Sequence, residues 1–153
     1  MAGRGNPVHP GAGGAGETPG APIGRLVIGM VDPGRFSNLA LPNGIRLTRV
    51  VETDVAMIDP MGRTALAKTA ITGREMIILL VAGLDEREKS ISLYHEILEG
   101  LTVAVRNPPQ TVTDFVESDF EAAAITAHER FGFADPEKVI MFLRIYGFGA
   151  KSD

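Results

Sequence analysis

The sequence predicts an α+β fold: a small, mostly antiparallel sheet packed against one long helix, with two further helices behind it. Three observations predict it. Strand-patterned stretches bounded by Gly, Pro, Asn and Asp occupy the chain up to Ala82. From Asp85 onward, apolar residues recur at helical spacing. A short turn, Gly83-Leu84-Asp85, joins the most apolar strand to the first helix, so that this helix can cover the strand.

Taken in order, residues 1–22 are rich in Gly, Ala and Pro and nearly empty of large apolar groups. Such a segment buries too little surface to offset its ordering entropy, so a flexible tail is expected, with His9 inert inside it. One domain is expected over 23–148, followed by a short tail at 149–153. Arg25–Val31 has strand composition and ends at the turn Asp32-Pro33-Gly34. Ile45–Val51 alternates apolar and polar residues, the pattern of a half-buried strand. Val55–Ile58 is a short apolar run ended by Asp59-Pro60. Thr64–Ala70 reads equally as a strand or an irregular connection. Glu75–Ala82 is the strongest strand, buried on both faces or covered by the helix that follows.

Asp85 is placed to cap that helix, and Glu86 and Glu88 in its first turn complement the dipole. The helix runs to about Val105, with Tyr94, Ile97, Leu98, Leu101, Ala104 and Val105 on one apolar face. Asn107-Pro108-Pro109 ends the region. A second helix, capped by Thr111 or Thr113, is expected to run to Phe131, and Gly132 stops it. Asp135-Pro136-Glu137 opens a third, ending by Gly147.

The charge-bearing pattern sits on the first helix. His95 and Glu99 are four residues apart and project from one side, on the border of the apolar face. Glu96 lies about 100° further round. In HExxH helices two ligands at this spacing hold a metal, and the glutamate after the first acts as general base for a water molecule. Here the second ligand position is a glutamate, giving HExxE; carboxylates also ligate zinc. The competing reading is a surface helix that carries His-Glu and Glu by chance. On the second helix, Glu117, Glu121 and His128 border the apolar stripe, so the two borders can converge over one ion. Glu121, mid-helix beside Ala122–Ala124, is the expected third ligand, with Glu117 and His128 as alternatives.

Composition bounds the function. A net charge of −4 argues against nucleic acid as the main partner. The absence of cysteine excludes disulfides and thiolate metal sites. No apolar run approaches a membrane span, and the expected setting is cytoplasmic.

Three stretches together, Arg74–Leu79, Leu84–Glu88 and Ser92–Glu99, followed by Glu117–Ala123, resemble the small zincin-like metallopeptidases, the minigluzincins of ImmA/IrrE and SprT type. The likeness spans about Ile45 to Phe131 and rests on architecture plus one short motif. It implies His95 as first ligand, Glu96 as catalytic base, Glu99 in place of the second histidine, and Glu121 as third ligand with Glu117 next. It implies a peptide or protein substrate lying along the strand before the helix, at a free sheet edge that includes Ile78 and Leu80. Zinc is the implied metal, and a sphere of one imidazole and two carboxylates also suits manganese or iron(II). Tyr94, His128 and Arg130 are candidate oxyanion donors, but each reads first as a structural residue: Tyr94 as core, His128 as a helix-end packing or capping residue, Arg130 as a solvated helix-end residue. Two other classes remain open: a zincin-like binding or regulatory module without activity, and a structural domain with a buried polar network.

Overall fold

The computed structural model describes Arg4–Gly5 and residues 30–149 of the 153. Most of the expected N-terminal tail, the expected strand at 25–31 as far as residue 29, and residues 150–153 lie outside the described residues.

The architecture is α+β. Among the described residues, six strands form one sheet: β1 (Arg4–Gly5), β2 (Leu39–Ala40), β3 (Arg46–Thr53), β4 (Met57–Ile58), β5 (Thr64–Thr72) and β6 (Glu75–Val81). Their order is β1-β5-β6-β3-β2, and β4 pairs with β5. Every pairing is antiparallel except β3 with β6. Thr64–Ala70, for which two readings stood open, is strand. It pairs with β6 through a tight turn in which Gly73 takes φ +62°, a region that favours glycine. Arg4–Gly5 fall within the segment expected to be an unstructured tail, yet they pair with β5.

One expectation is corrected. Glu75–Ala82 was expected to offer a free edge to an extended peptide, with Ile78 and Leu80 touching the substrate. Instead β6 is the centre of the sheet, hydrogen-bonded to β5 on one side and β3 on the other. Its backbone has no edge left for another strand. Ile78 and Leu80 are fully buried, and with Met76 they form the floor of the core.

Among the described residues, four α-helices follow the sheet: α1 (Glu86–Ala104), α2 (Gln110–Thr113), α3 (Glu117–Phe131) and α4 (Pro136–Ile145). The Asp85 carboxylate accepts the Glu88 N–H at 2.8 Å, the N-cap that the sequence implies. The Asp135 carboxylate does the same for α4, accepting from Lys138. The expected second helix is broken in two. Val116 is extended, and its N–H is taken by the Asp119 carboxylate at 2.9 Å. That bond starts a new helix at Glu117, whose carboxylate therefore sits in the first turn of α3.

Helix α1 lies between the sheet and the other helices, so nearly every residue from Ser90 to Leu101 is buried. Its apolar side meets Met76, Ile78, Leu80 and Leu47 in one continuous core. On its other side, the pairs Ser90–His128 and His95–Glu121 show that α3 runs antiparallel to it. Helix α4 closes the packing, with the Phe142 ring edge-on to Tyr94 at 5.1 Å. Among the described residues, no helix is long and apolar enough to cross a membrane.

Candidate metal centre

Because α1 is enclosed, its polar residues must find partners inside the protein. The 100° step between successive residues sends His95 and Glu96 to different neighbours. His95 faces α3. Glu96 faces the sheet, where Thr69 of β5 donates its hydroxyl to Glu96 Oε1 at 2.7 Å.

Three carboxylates surround the His95 ring. Glu121 Oε1 lies 2.8 Å from Nδ1. Glu99 Oε1 and Glu117 Oε2 lie 3.1 Å and 3.0 Å from Nε2. Glu99 and Glu117 thus converge on one nitrogen from two helices, and Glu121 occupies the other. The His95 ring is fully buried, while the side chains of Glu99, Glu117 and Glu121 are 12%, 39% and 30% exposed, so the cluster opens toward α3 and solvent. His95, Glu99 and Glu117 each offer one ligand atom, and these atoms lie within 4.8 Å of one another.

Counting protons tests whether a cation suits this arrangement. Nε2 can offer one N–H, and Glu99 takes it with hydrogen-bond geometry. Both Glu117 oxygens are shielded from solvent and neither has a well-formed hydrogen bond; Oε2 makes its 3.0 Å ion-pair contact with an Nε2 whose one N–H Glu99 already takes. A buried, unsatisfied carboxylate is costly. A divalent cation bound to the Nε2 lone pair, Glu99 and Glu117 would satisfy all three at once. Glu121 would then accept the Nδ1 proton, the arrangement by which an outer carboxylate fixes a ligating histidine's tautomer. The residues fit a hard or borderline divalent ion with nitrogen and oxygen ligands.

Titration follows the same geometry. Burial alone would lower the His95 pKa, but Glu117, Glu121 and Glu99 outweigh it and raise the value to about 11. Without a cation the imidazole is therefore protonated. Burial pushes Glu96 up to about 7, against the opposing effects of His95 and the Thr69 hydroxyl. Burial likewise raises Glu99.

The residues expected at the site divide clearly. His95, Glu99, Glu117 and Glu121 come together, and Glu96 adjoins them on the sheet side. Glu121, expected as third ligand, is on Nδ1, opposite the nitrogen that Glu99 and Glu117 share; the alternative, Glu117, completes the cluster. His128 is elsewhere. Ser90 Oγ accepts the Ala134 N–H at 2.9 Å and is hydrogen-bonded to His128 Nδ1 at 2.9 Å. Burial, then Arg87, holds the His128 pKa below its usual value. Tyr94 is core, its hydroxyl donating to the Gly132 carbonyl at 3.1 Å. Arg130 is exposed, with its guanidinium over the Phe131 ring.

Two residues of the site escaped the sequence reading. Thr69 is a polar residue in a stretch whose strand character was open, so nothing marked it as facing inward. Gly100 lies one turn beyond Glu96. A Cβ there would come within 2.9 Å of Met76 Cε and 3.1 Å of Thr69 Cγ2, so its bare backbone lets α1 sit against the sheet. A glycine inside a strong helix pattern was the available signal.

Comparison of the chain with protein-family models, curated proteins and solved structures finds no match. The fold and cluster define it as an α+β domain with a buried histidine ringed by glutamates.

Proposed function

We propose that this domain binds one divalent cation through His95 Nε2, Glu99 and Glu117, with Glu121 orienting the imidazole, and that it is a metal-dependent peptidase. The observation that carries the metal reading is the Glu117 carboxylate, desolvated beside Nε2 and sharing that nitrogen with Glu99, with no well-formed hydrogen bond of its own. When bound, the cation supplies a Lewis acid that makes water nucleophilic near neutral pH. Glu96, adjacent in sequence to the first ligand and with a pKa of about 7, suits the role of general base. Zinc is the first choice, with manganese and iron(II) compatible with two carboxylates. A peptide or protein substrate, rather than nucleic acid, agrees with the net charge of −4, and a cytoplasmic setting agrees with the lack of cysteine.

One observation favours a second reading, a metal-stabilised binding module without hydrolysis: Glu96 is fully buried and bonded to Thr69. Two measurements separate the readings. Elemental analysis of protein purified without a metal-affinity column should find about one divalent ion per chain, lost in Glu117→Ala. An unfolded-protein substrate should then be cleaved by the wild type and not by Glu96→Gln, which keeps its metal. Metal without cleavage leaves the binding module; no metal sinks both.

A further inference from the structure

A second polar site lies at the far end of α1, about 15 Å along the helix axis from His95. It is a cleft of about 560 Å³ between the Asn43-Gly44 turn, the β5–β6 turn and the residues that follow α1. Its polar lining residues are Arg74, Arg106, Asn43 and Asn107; Ile45, Ala104 and Val105 are the apolar ones. Among the described residues, no carboxylate lines it. Among the described residues, neither arginine forms an ion pair, although acidic residues outnumber basic ones by 19 to 15 in the chain.

The cleft is also held in shape. The backbone N–H of Arg46 donates to the Arg74 carbonyl at 2.9 Å, and that of Leu41 to the Ile45 carbonyl at 2.8 Å. The Gly149 N–H donates to Asn43 Oδ1, which leaves the Asn43 amide nitrogen as the group still able to donate. Gly44 has φ +78°, and a Cβ on it would fall 2.7 Å from Arg74 Nη1. The bare glycine backbone therefore makes room for the guanidinium. Two cations without counter-charge, flanked by amide groups, offer mainly donors.

We propose that this cleft binds a small, multiply charged organic oxyanion, of phosphate or carboxylate type, through Arg74 and Arg106. Guanidinium forks match both groups by paired hydrogen bonds. The volume falls in the range of small-molecule sites and exceeds what a bare ion fills. The proposal stands apart from the metal centre and shares no residue with it.

Thermal melting of the full chain at fixed ionic strength tests it, with sodium phosphate in one arm and sodium succinate in the other, each against sodium chloride. A saturable rise in melting temperature is expected with phosphate or succinate and not with chloride; the arm with the tighter constant names the preferred group. Arg106→Gln and Arg74→Gln should each weaken binding roughly ten- to a hundredfold. No saturable rise in either arm overturns the proposal. So does a rise undiminished by the variants, which is the general effect of excluded salts. Arg106 is exposed, beyond the end of its helix, so Arg106→Gln alone carries the test if Arg74→Gln fails to fold.

Discussion

At the scale of single residues, the site depends on which nitrogen of one imidazole each carboxylate meets. Glu117 and Glu121 are four apart on the same face of α3, yet one reaches Nε2 and the other Nδ1. Their substitutions should therefore differ. Glu117→Ala removes a ligand and should abolish metal binding at micromolar metal. Glu121→Ala keeps the ligands but frees the ring, and should weaken affinity about ten- to a hundredfold, with Glu121→Gln close to wild type because its amide oxygen still accepts the Nδ1 proton. Equal loss in the two alanine variants, measured by competition with a chromophoric chelator, would refute this division. Thr69 gives a second test. Its hydroxyl stabilises the charged form of Glu96, so Thr69→Val should raise the Glu96 pKa above about 7 and move the acid limb of any hydrolytic pH profile upward. The HExxE spacing made His95, Glu99 and Glu96 legible in the sequence. Which glutamate of α3 faces Nε2 was not, because that depends on the Asp119 cap that breaks the helix ahead of Glu117.

At the scale of elements, α1 touches the sheet where it has no side chain. Gly100→Leu should destabilise the domain by about 3 kcal/mol, because extra atoms would enter a packed interior beside Met76 and Thr69. Gly100→Ala is a milder case. The end of the Met76 side chain can shift, and the gain in helix propensity of about 1 kcal/mol offsets much of the cost, so it should fall within about 1 kcal/mol of wild type. Chemical denaturation of both variants checks this pair; a neutral Gly100→Leu would show that the helix stands off the sheet. Helix existence and type were plain from periodicity and caps: Asp85 and Asp135 cap as their sequence contexts imply. The standing of β6 was not. An apolar run with flanking turns looks the same at an edge or a centre, and only its two pairings, one parallel to β3 and one antiparallel to β5, decide.

At the scale of the whole molecule, the buried centre couples stability to pH and, on the proposed reading, to metal. Glu96 is raised from 4.5 to about 7, so it favours the folded state fully below about pH 4.5 and loses that contribution as pH rises through 7. His95 is raised from 6.5 to about 11, so its contribution is complete below about pH 6.5 and is lost as pH climbs toward 11. Both act in the same direction, and the metal-free domain should melt at progressively lower temperature from pH 5 to pH 9. A melting temperature that rises over this range would refute the assignment. Metal binding must expel the Nε2 proton, so calorimetry in buffers of different ionisation enthalpy should find about one proton released per ion near pH 7, with tighter binding as pH rises. The sheet order has a consequence for how the chain assembles. Its central strand, β6, is the last of the six in sequence. Until residue 81 has been made, β3 and β5 share no partner and their inner edges stand open, as aggregation-prone strands do. The β5–β6 hairpin, closed by Gly73, is the one long pairing available from local contacts. In the folded domain β6 joins β3 to β5 and carries Met76, Ile78 and Leu80 under α1, so the helix that holds His95 and Glu99 rests on the strand made last.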